Sequence, residues 1–197
     1  AVWKPEYESE EPCQGYLRVQ KDAGDDPDVT HGSWVYACVT ILTEAELETK
    51  RQTGSGYWLE EYPEVYLDGG IGIGIATKPG LSCPVGHYAI NPVPRKMILS
   101  AVDAERDRLG FRGCLGIQIA IPSGVELAKK TFNPKLGIQG GISVLGTTGI
   151  VKPMSEEALL ATIRLDIHMK TVANENVLLM APGNYGETFL REAMGIP

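Results

Sequence analysis

Residues 64–77 read EVYLDGGIGIGIAT. From Gly70 to Ile75 glycine and isoleucine alternate, a period of two, so one side of an extended strand presents only backbone. That bare side admits either another element packed very close or a ligand. Both readings stay open from the sequence. A GxGxxG fingerprint cannot be drawn through the run, and no helical pattern follows it. The stretch therefore reads as sheet, not as the phosphate turn of a dinucleotide fold.

Working outward, residues 16–21 (YLRVQK) and 34–41 (WVYACVTI) alternate apolar and polar, as strands do. Residues 115–122 (LGIQIAIP) predict another strand. Helical spacing runs from Pro94 to Leu109, with Gly110 placed to end it. A second helix starts at Ser155, with Glu156 and Glu157 at its positive end and Met154 set to staple on Leu159, and runs to about Val172. His168 on that helix reads as structural. Residues 43–51 fit a short helix or a hairpin extension, and Ser123 with Glu126 has capping-box spacing before a short helix.

The expected fold class is α+β: a mixed or antiparallel sheet with helices packed on it. Residues 177–181 (VLLMA) are apolar throughout, as in a strand buried on both faces, and a PGNYG turn and a helical pattern follow. Strand, glycine-containing turn and helix are the opening unit of a Rossmann-like sheet. The expected division is residues 1–174 as one α+β domain and 175–197 as the truncated start of an α/β domain.

Bulk properties narrow the function. A net charge of −7 over 197 residues argues against nucleic acid as a partner. No apolar run is long enough for a membrane span, so no membrane partner is expected. Cys13, Cys38, Cys83 and Cys114 are far apart with no CxxC pair, which reads as reduced thiols in a cytoplasmic compartment. Composition neither requires nor excludes an oligomer.

The charge is unevenly spread. Residues 78–102 hold Lys78, Arg95 and Lys96 and no acid, and residues 129–152 hold Lys129, Lys130, Lys135 and Lys152 and no acid. A basic site on an acidic chain would attract a phosphate or a ligand with several carboxylates. Residues 129–158 also carry Gly137, Gly140, Gly141, Gly146 and Gly149, backbone that turns tightly or approaches something closely. Four prolines between Lys78 and Arg95 make that loop irregular but rigid, suited to holding side chains for binding.

Other chemistry is excluded or left as a candidate. Gly141 to Thr148 has Walker A spacing, but Thr147 stands where the lysine must be, and GISVLG is one residue too long for a nucleophile elbow. HExxH, CxxC and clustered histidines are missing from the sequence, so no protein-bound metal is expected. Asp22, Asp25, Asp26 and Asp28 crowd within seven residues of KDAGDDPDVTHG. They read either as a solvated turn capping its own amides or as carboxylates for acid–base work. Their spacing does not match an EF-hand loop.

Taken together, KDAGDDPDVTHG (21–32), TKPGL (77–81), AINPVPR (89–95), KTFNPKLGI (130–138), GGISVLGTTGIVKPMSEEAL (140–159) and APGNYG (181–186) resemble the cobalt-precorrin-5B C1-methyltransferase family. The resemblance implies S-adenosylmethionine-dependent methylation of ring carbon C1 of a cobalt-containing corrinoid in anaerobic cobalamin biosynthesis, giving cobalt-precorrin-6A. The cobalt belongs to the substrate. Such a substrate carries acetate and propionate arms, so Lys78, Arg95, Lys130, Asn133, Lys135, Thr147, Thr148 and Lys152, all within matched blocks, are the expected corrinoid contacts. Asp25, Asp26, Asp28 and His31 are the candidates for moving protons on the macrocycle. Gly183, Asn184, Tyr185 and Gly186 are the candidate edge of the methyl-donor site. The family's N-terminal GYTTGTCA-type motif is not found, and the sequence stops inside the second unit. Two further functions fit the same residues: a non-catalytic corrinoid-binding fragment, and a phosphate-binding small-molecule kinase-like enzyme using the glycines of 137–149.

Overall fold

The computed structural model describes residues 15–25, 28–146, 156–175, 177, 180 and 183–195. Its main sheet is mixed and five-stranded, in the order β1 (Gly15–Gln20), β2 (Trp34–Leu42), β7 (Cys114–Ala120), β4 (Tyr62–Gly69), β3 (Tyr57–Leu59). The neighbours β1–β2, β2–β7 and β3–β4 are antiparallel; β4 and β7 run parallel, with Val65 opposite Leu115 and Leu67 opposite Ile117. Between them the chain passes through helix α2 (Pro92–Leu109), the crossover that parallel neighbours need. This is the expected α+β class.

Side chains alternate across the sheet and so build two cores. Val65 and Leu67 lie beside Ile117 and Ile119 of the neighbouring strand and cluster with Leu99 of α2, all buried. Between them Tyr66 points the other way and packs with Leu42, Cys114 and Leu47 of helix α1 (Glu44–Thr53). Burying each such aliphatic side chain stabilises the fold by about 1.5–3 kcal/mol.

Residues 43–51, ambiguous in the sequence, are helical because Thr43 caps them. Its Oγ1 accepts from Glu46 N–H at 3.2 Å, and Glu46 Oε2 accepts from Thr43 N–H at 2.7 Å. Helix α2 starts at Pro92, two residues earlier than its spacing suggests, because a proline suits the first turn; Gly110 ends it at φ 64°. The box at Ser123 does not form. Ser123 is itself helical (φ −62°, ψ −17°), whereas a capping residue must be extended to aim its oxygen at the first-turn amides. Helix α3 (Gly124–Leu127) is therefore four residues long and passes into a 3-10 turn, Ala128–Lys130.

The 64–77 stretch is not one strand. After Gly69 it breaks into β5 (Gly72–Ile73) and β6 (Ile75–Ala76), which pair with β9 (Gly141–Ile142) and β8 (Ile138–Gln139). Gly72 has φ +81°, and a β-carbon there would lie 1.7 Å from the Ile121 carbonyl oxygen. At Gly72, close packing of backbone on backbone is the reading that holds.

Helix α4 (Glu156–Val172) follows the expected pattern; Ser155 and Met154 lie outside the described residues. Helix α5 spans Gly183–Met194, so residues 183–186 are helical and not the expected tight turn. Of the expected strand at 177–181, Val177 and Met180 are described and neither is in a strand. Among the described residues no helix is long and apolar enough to cross a membrane. Cys83 and Cys114 are buried free thiols, but Cys38 is disulfide-bonded, against the expectation of four reduced thiols.

Candidate functional site

The loop after β6 and the loop before β8 are laced together. Thr77 donates to the Gly137 carbonyl through both its backbone N–H (2.8 Å) and its hydroxyl (2.7 Å). Lys78 Nζ reaches the Lys135 carbonyl oxygen at 3.5 Å. On the next turn of chain a β-carbon at Gly80 would sit 3.2 Å from Met169 Cγ, so this loop rests directly against α4. The result is a cleft of about 180 Å³ with Lys78, Lys135 and Lys170 on its walls. The Lys135 ammonium lies 5.7 Å from the centre of the exposed Phe132 ring.

Two lysines far apart in sequence thus share one concavity, as their acid-free surroundings suggested. The fold adds what those windows could not contain. Helix α4 and the residues after it bring Asp166 and Glu175 into the same cleft, and Glu175 Oε2 accepts from Lys170 Nζ at 3.1 Å. That hydrogen bond, and the charge behind it, raise the Lys170 pKa.

Other expected contacts lie elsewhere. Lys130 is exposed at the end of the 3-10 turn and does not line the cleft. Asn133 is buried: its side-chain oxygen accepts from Ser143 Oγ at 3.0 Å and its carbonyl from Ile138 N–H at 2.9 Å, so it holds the loop's shape. Arg95 stacks 3.5 Å from the centre of the Tyr57 ring, donates through Nε to the Ile90 carbonyl, and places a terminal nitrogen 3.3 Å from both the Ser82 carbonyl and Cys83 Sγ. It pins the proline loop to α2. Burial first, then the neighbouring Cys83, raise the Tyr57 pKa, and its hydroxyl donates to the Tyr88 carbonyl at 2.5 Å. Thr147, Thr148 and Lys152 lie outside the described residues.

In the acidic turn, Asp28 is committed to neighbours. It pairs with Lys21 Nζ, and its Oδ1 accepts from both the backbone N–H and the hydroxyl of Thr30 at 2.7 Å. Burial pushes its pKa up, but Lys21 and Thr30 together outweigh this and the net shift is downward. A carboxylate held anionic this way is a poor proton acceptor. His31 Nδ1 accepts from Ala23 N–H at 3.1 Å, so the neutral ring carries its proton on Nε2. Asp25 is exposed and Asp26 lies outside the described residues. His31 opens onto a separate hollow of about 320 Å³ that shares no lining residue with the lysine cleft.

Sequence reasoning missed Asp166, Lys170 and Glu175 in the cleft, and Phe132 beside Lys135. Only Gly80, whose missing side chain lets α4 approach, carried a trace of the α4 contact. No group of three metal-ligating side chains occurs among the described residues.

The family profile CbiD matches residues 6–153. The chain belongs to the CbiD family. Among its relatives, the cobalt-precorrin-5B C(1)-methyltransferase of Ruminiclostridium cellulolyticum is 45% identical over 90% of this chain and 41% of that protein. The proteins of the same name from Listeria monocytogenes and Moorella thermoacetica are each 44% identical over 90% of this chain and 42% of theirs. The crystal structure of the cobalamin biosynthesis protein CbiD from Archaeoglobus fulgidus matches 92% of this chain and 51% of its own, at 26% identity and a TM-score of 0.52. This CbiD chain therefore spans less than half the length of those curated relatives and about half of the solved one.

Proposed function

We propose that this chain takes part in S-adenosylmethionine-dependent methylation of C1 of cobalt-precorrin-5B, giving cobalt-precorrin-6A in cobalamin biosynthesis. The observation that carries the reading is the convergence of Lys78 and Lys135 in one cleft, in a chain whose relatives bear that activity in their names. Two ammonium groups there would hold carboxylate arms of the macrocycle by charge-assisted hydrogen bonds. Phe132, exposed beside Lys135, offers a face for the ring. Lys130 and, outside the described residues, Thr147, Thr148 and Lys152 would add contacts. Arg95 and Asn133 would shape the loops that carry them.

Methyl transfer asks the protein chiefly to bring donor and acceptor together in line. S-adenosylmethionine supplies the methyl group when bound. Gly183, Asn184, Tyr185 and Gly186 open helix α5, and the N-terminus of a helix would suit the donor's carboxylate. We assign residues 175–197 to a second, α/β unit on the strength of the family resemblance alone. For proton movement His31 is the member of the Asp25, Asp26, Asp28, His31 group that offers a donor, through Nε2–H. The enzyme reading carries with it a cytoplasmic location and a small-molecule corrinoid as partner.

The test is mass spectrometry of cobalt-precorrin-5B incubated with the protein and donor. A gain of one methyl that requires both supports the reading. Corrinoid binding without donor binding, read by calorimetry with each ligand alone, replaces it with a binding role.

A further inference from the structure

The hollow at His31 is the larger of the two concavities. It opens where the turn before β2, the start of β2 and the exit of β7 meet. Val29, Trp34, Pro122 and Leu127 give it an apolar seat, and no carboxylate lines it. Its polar residues are His31, Ser33, Tyr36 and Ser123. Ser33 is buried, with its backbone tied at both ends: Lys21 N–H donates to its carbonyl at 2.8 Å and its own N–H to the Thr30 carbonyl at 3.2 Å. Its hydroxyl has no partner among the described residues. The Ser123 hydroxyl makes no capping bond, because its residue is helical. His31 can meet a ligand only through Nε2–H, since Nδ1 already accepts from Ala23. The Arg18 guanidinium lies 4.2 Å from the centre of the Trp34 ring and holds it in place.

No acidic residue lines the hollow, and Asp22 Oδ1 lies 3.8 Å from His31 Nδ1, the ring nitrogen turned to Ala23 and not to a ligand. Donor groups over an apolar seat match an ionised carboxylate on a short carbon chain. We propose that this hollow binds a short aliphatic carboxylate arm of the tetrapyrrole, with His31 Nε2–H, Ser33 and Ser123 as donors and Trp34 and Leu127 beneath its methylenes. The assignment of the arm to a tetrapyrrole rests on the corrinoid reading above. The site itself does not. It uses His31 Nε2–H for binding, in place of the proton movement suggested above, and would fix the ring at a second point, away from the lysine cleft.

The experiment uses two probes on the protein as it stands. Propionate is titrated against isotope-labelled protein and followed by NMR; cobyrinic acid, a corrin polycarboxylate, is followed by its absorbance. The variants are His31→Asn, whose amide oxygen replaces Nδ1 for Ala23 but lacks the Nε2–H, Ser123→Ala, and the double change Lys78→Ala with Lys135→Ala. Expected are saturable propionate shifts centred on His31, Ser33, Trp34 and Ser123, and affinity for cobyrinic acid lowered about tenfold by His31→Asn with an unchanged melting midpoint. Propionate shifts that are absent, or that propionamide reproduces, overturn the proposal whatever the corrin does. Wild-type affinity in His31→Asn alongside weakened binding in the lysine variant also overturns it and leaves the cleft reading standing. Weakened binding in His31→Asn with the lysine variant unaffected supports it and removes the cleft reading instead.

Discussion

A β-carbon added to Gly137 would lie 2.5 Å from Lys78 Cγ and 2.9 Å from its Cβ. The lysine stem runs over bare backbone there, at a residue whose φ is +78°. The position of one candidate substrate contact thus depends on the missing side chain of a residue 59 places further along the chain.

Gly137→Ala is expected to cost about 1–2 kcal/mol from the left-handed backbone alone, and to push the Lys78 stem aside. Urea unfolding measures the first effect and cobyrinic acid affinity the second. Stability lowered with affinity intact would detach Lys78 from the site.

Gly72→Ala is expected to be far worse. Its φ is +81° and the Ile121 carbonyl oxygen would be 1.7 Å from the new carbon, backbone that cannot swing away. Left-handed strain and overpacking together predict a loss of about 2–5 kcal/mol. Soluble yield and the melting midpoint report it, and a variant that melts like wild type would contradict the backbone packing described here.

Arg95→Ala is expected to lower stability by about 1–3 kcal/mol, from the lost Tyr57 stacking and the lost bonds to the Ile90 and Ser82 carbonyls. Arg95→Lys should recover little, because an ammonium cannot both stack and fork. If corrinoid affinity falls while the unfolding midpoint stays put, Arg95 is a substrate contact after all.

Asp28→Asn tests the acidic turn through pH. The folded-state pKa of Asp28 is depressed, so its contribution to stability is present above the unfolded carboxylate pKa, about 3.9. It is lost as pH falls through the lower folded value. The urea midpoints of wild type and variant should therefore differ at neutral pH and converge below about pH 4. High salt should shrink the neutral-pH difference, since the pair is partly solvated. A gap that persists in acid would mean the Lys21–Asp28 pair is not its source.

Cys38 should resist alkylation until a reductant is added, even in denaturant, whereas Cys83 and Cys114 should react on unfolding alone. Peptide mapping after differential labelling reads this directly. Immediate labelling of Cys38 would restore the all-thiol expectation and with it the simplest case for a reducing compartment.

Much of the strand pattern was legible because period two survives wherever one face is buried, as at residues 34–41 and 115–122. The helix over Pro92–Leu109 was legible from its spacing and its terminal glycine. The failures share a cause. Ser123 has the letters of a cap, but a cap depends on a backbone angle, and here the residue is helical. The glycine–isoleucine run has the period of one strand, yet Gly72 turns it to meet Gly141.

The sequence by itself determined the class of fold, the family and the two basic segments, because periodicity, turn chemistry and charge are written along the chain. Only the tertiary structure decided which basic side chains act together. It brought Lys78 to Lys135 and set Lys170, Asp166 and Glu175 of a later segment against them, and it engaged Arg95 and Asn133 in holding loops. A side chain's availability depends on the groups packed beside it, and those come from distant positions that no local window contains.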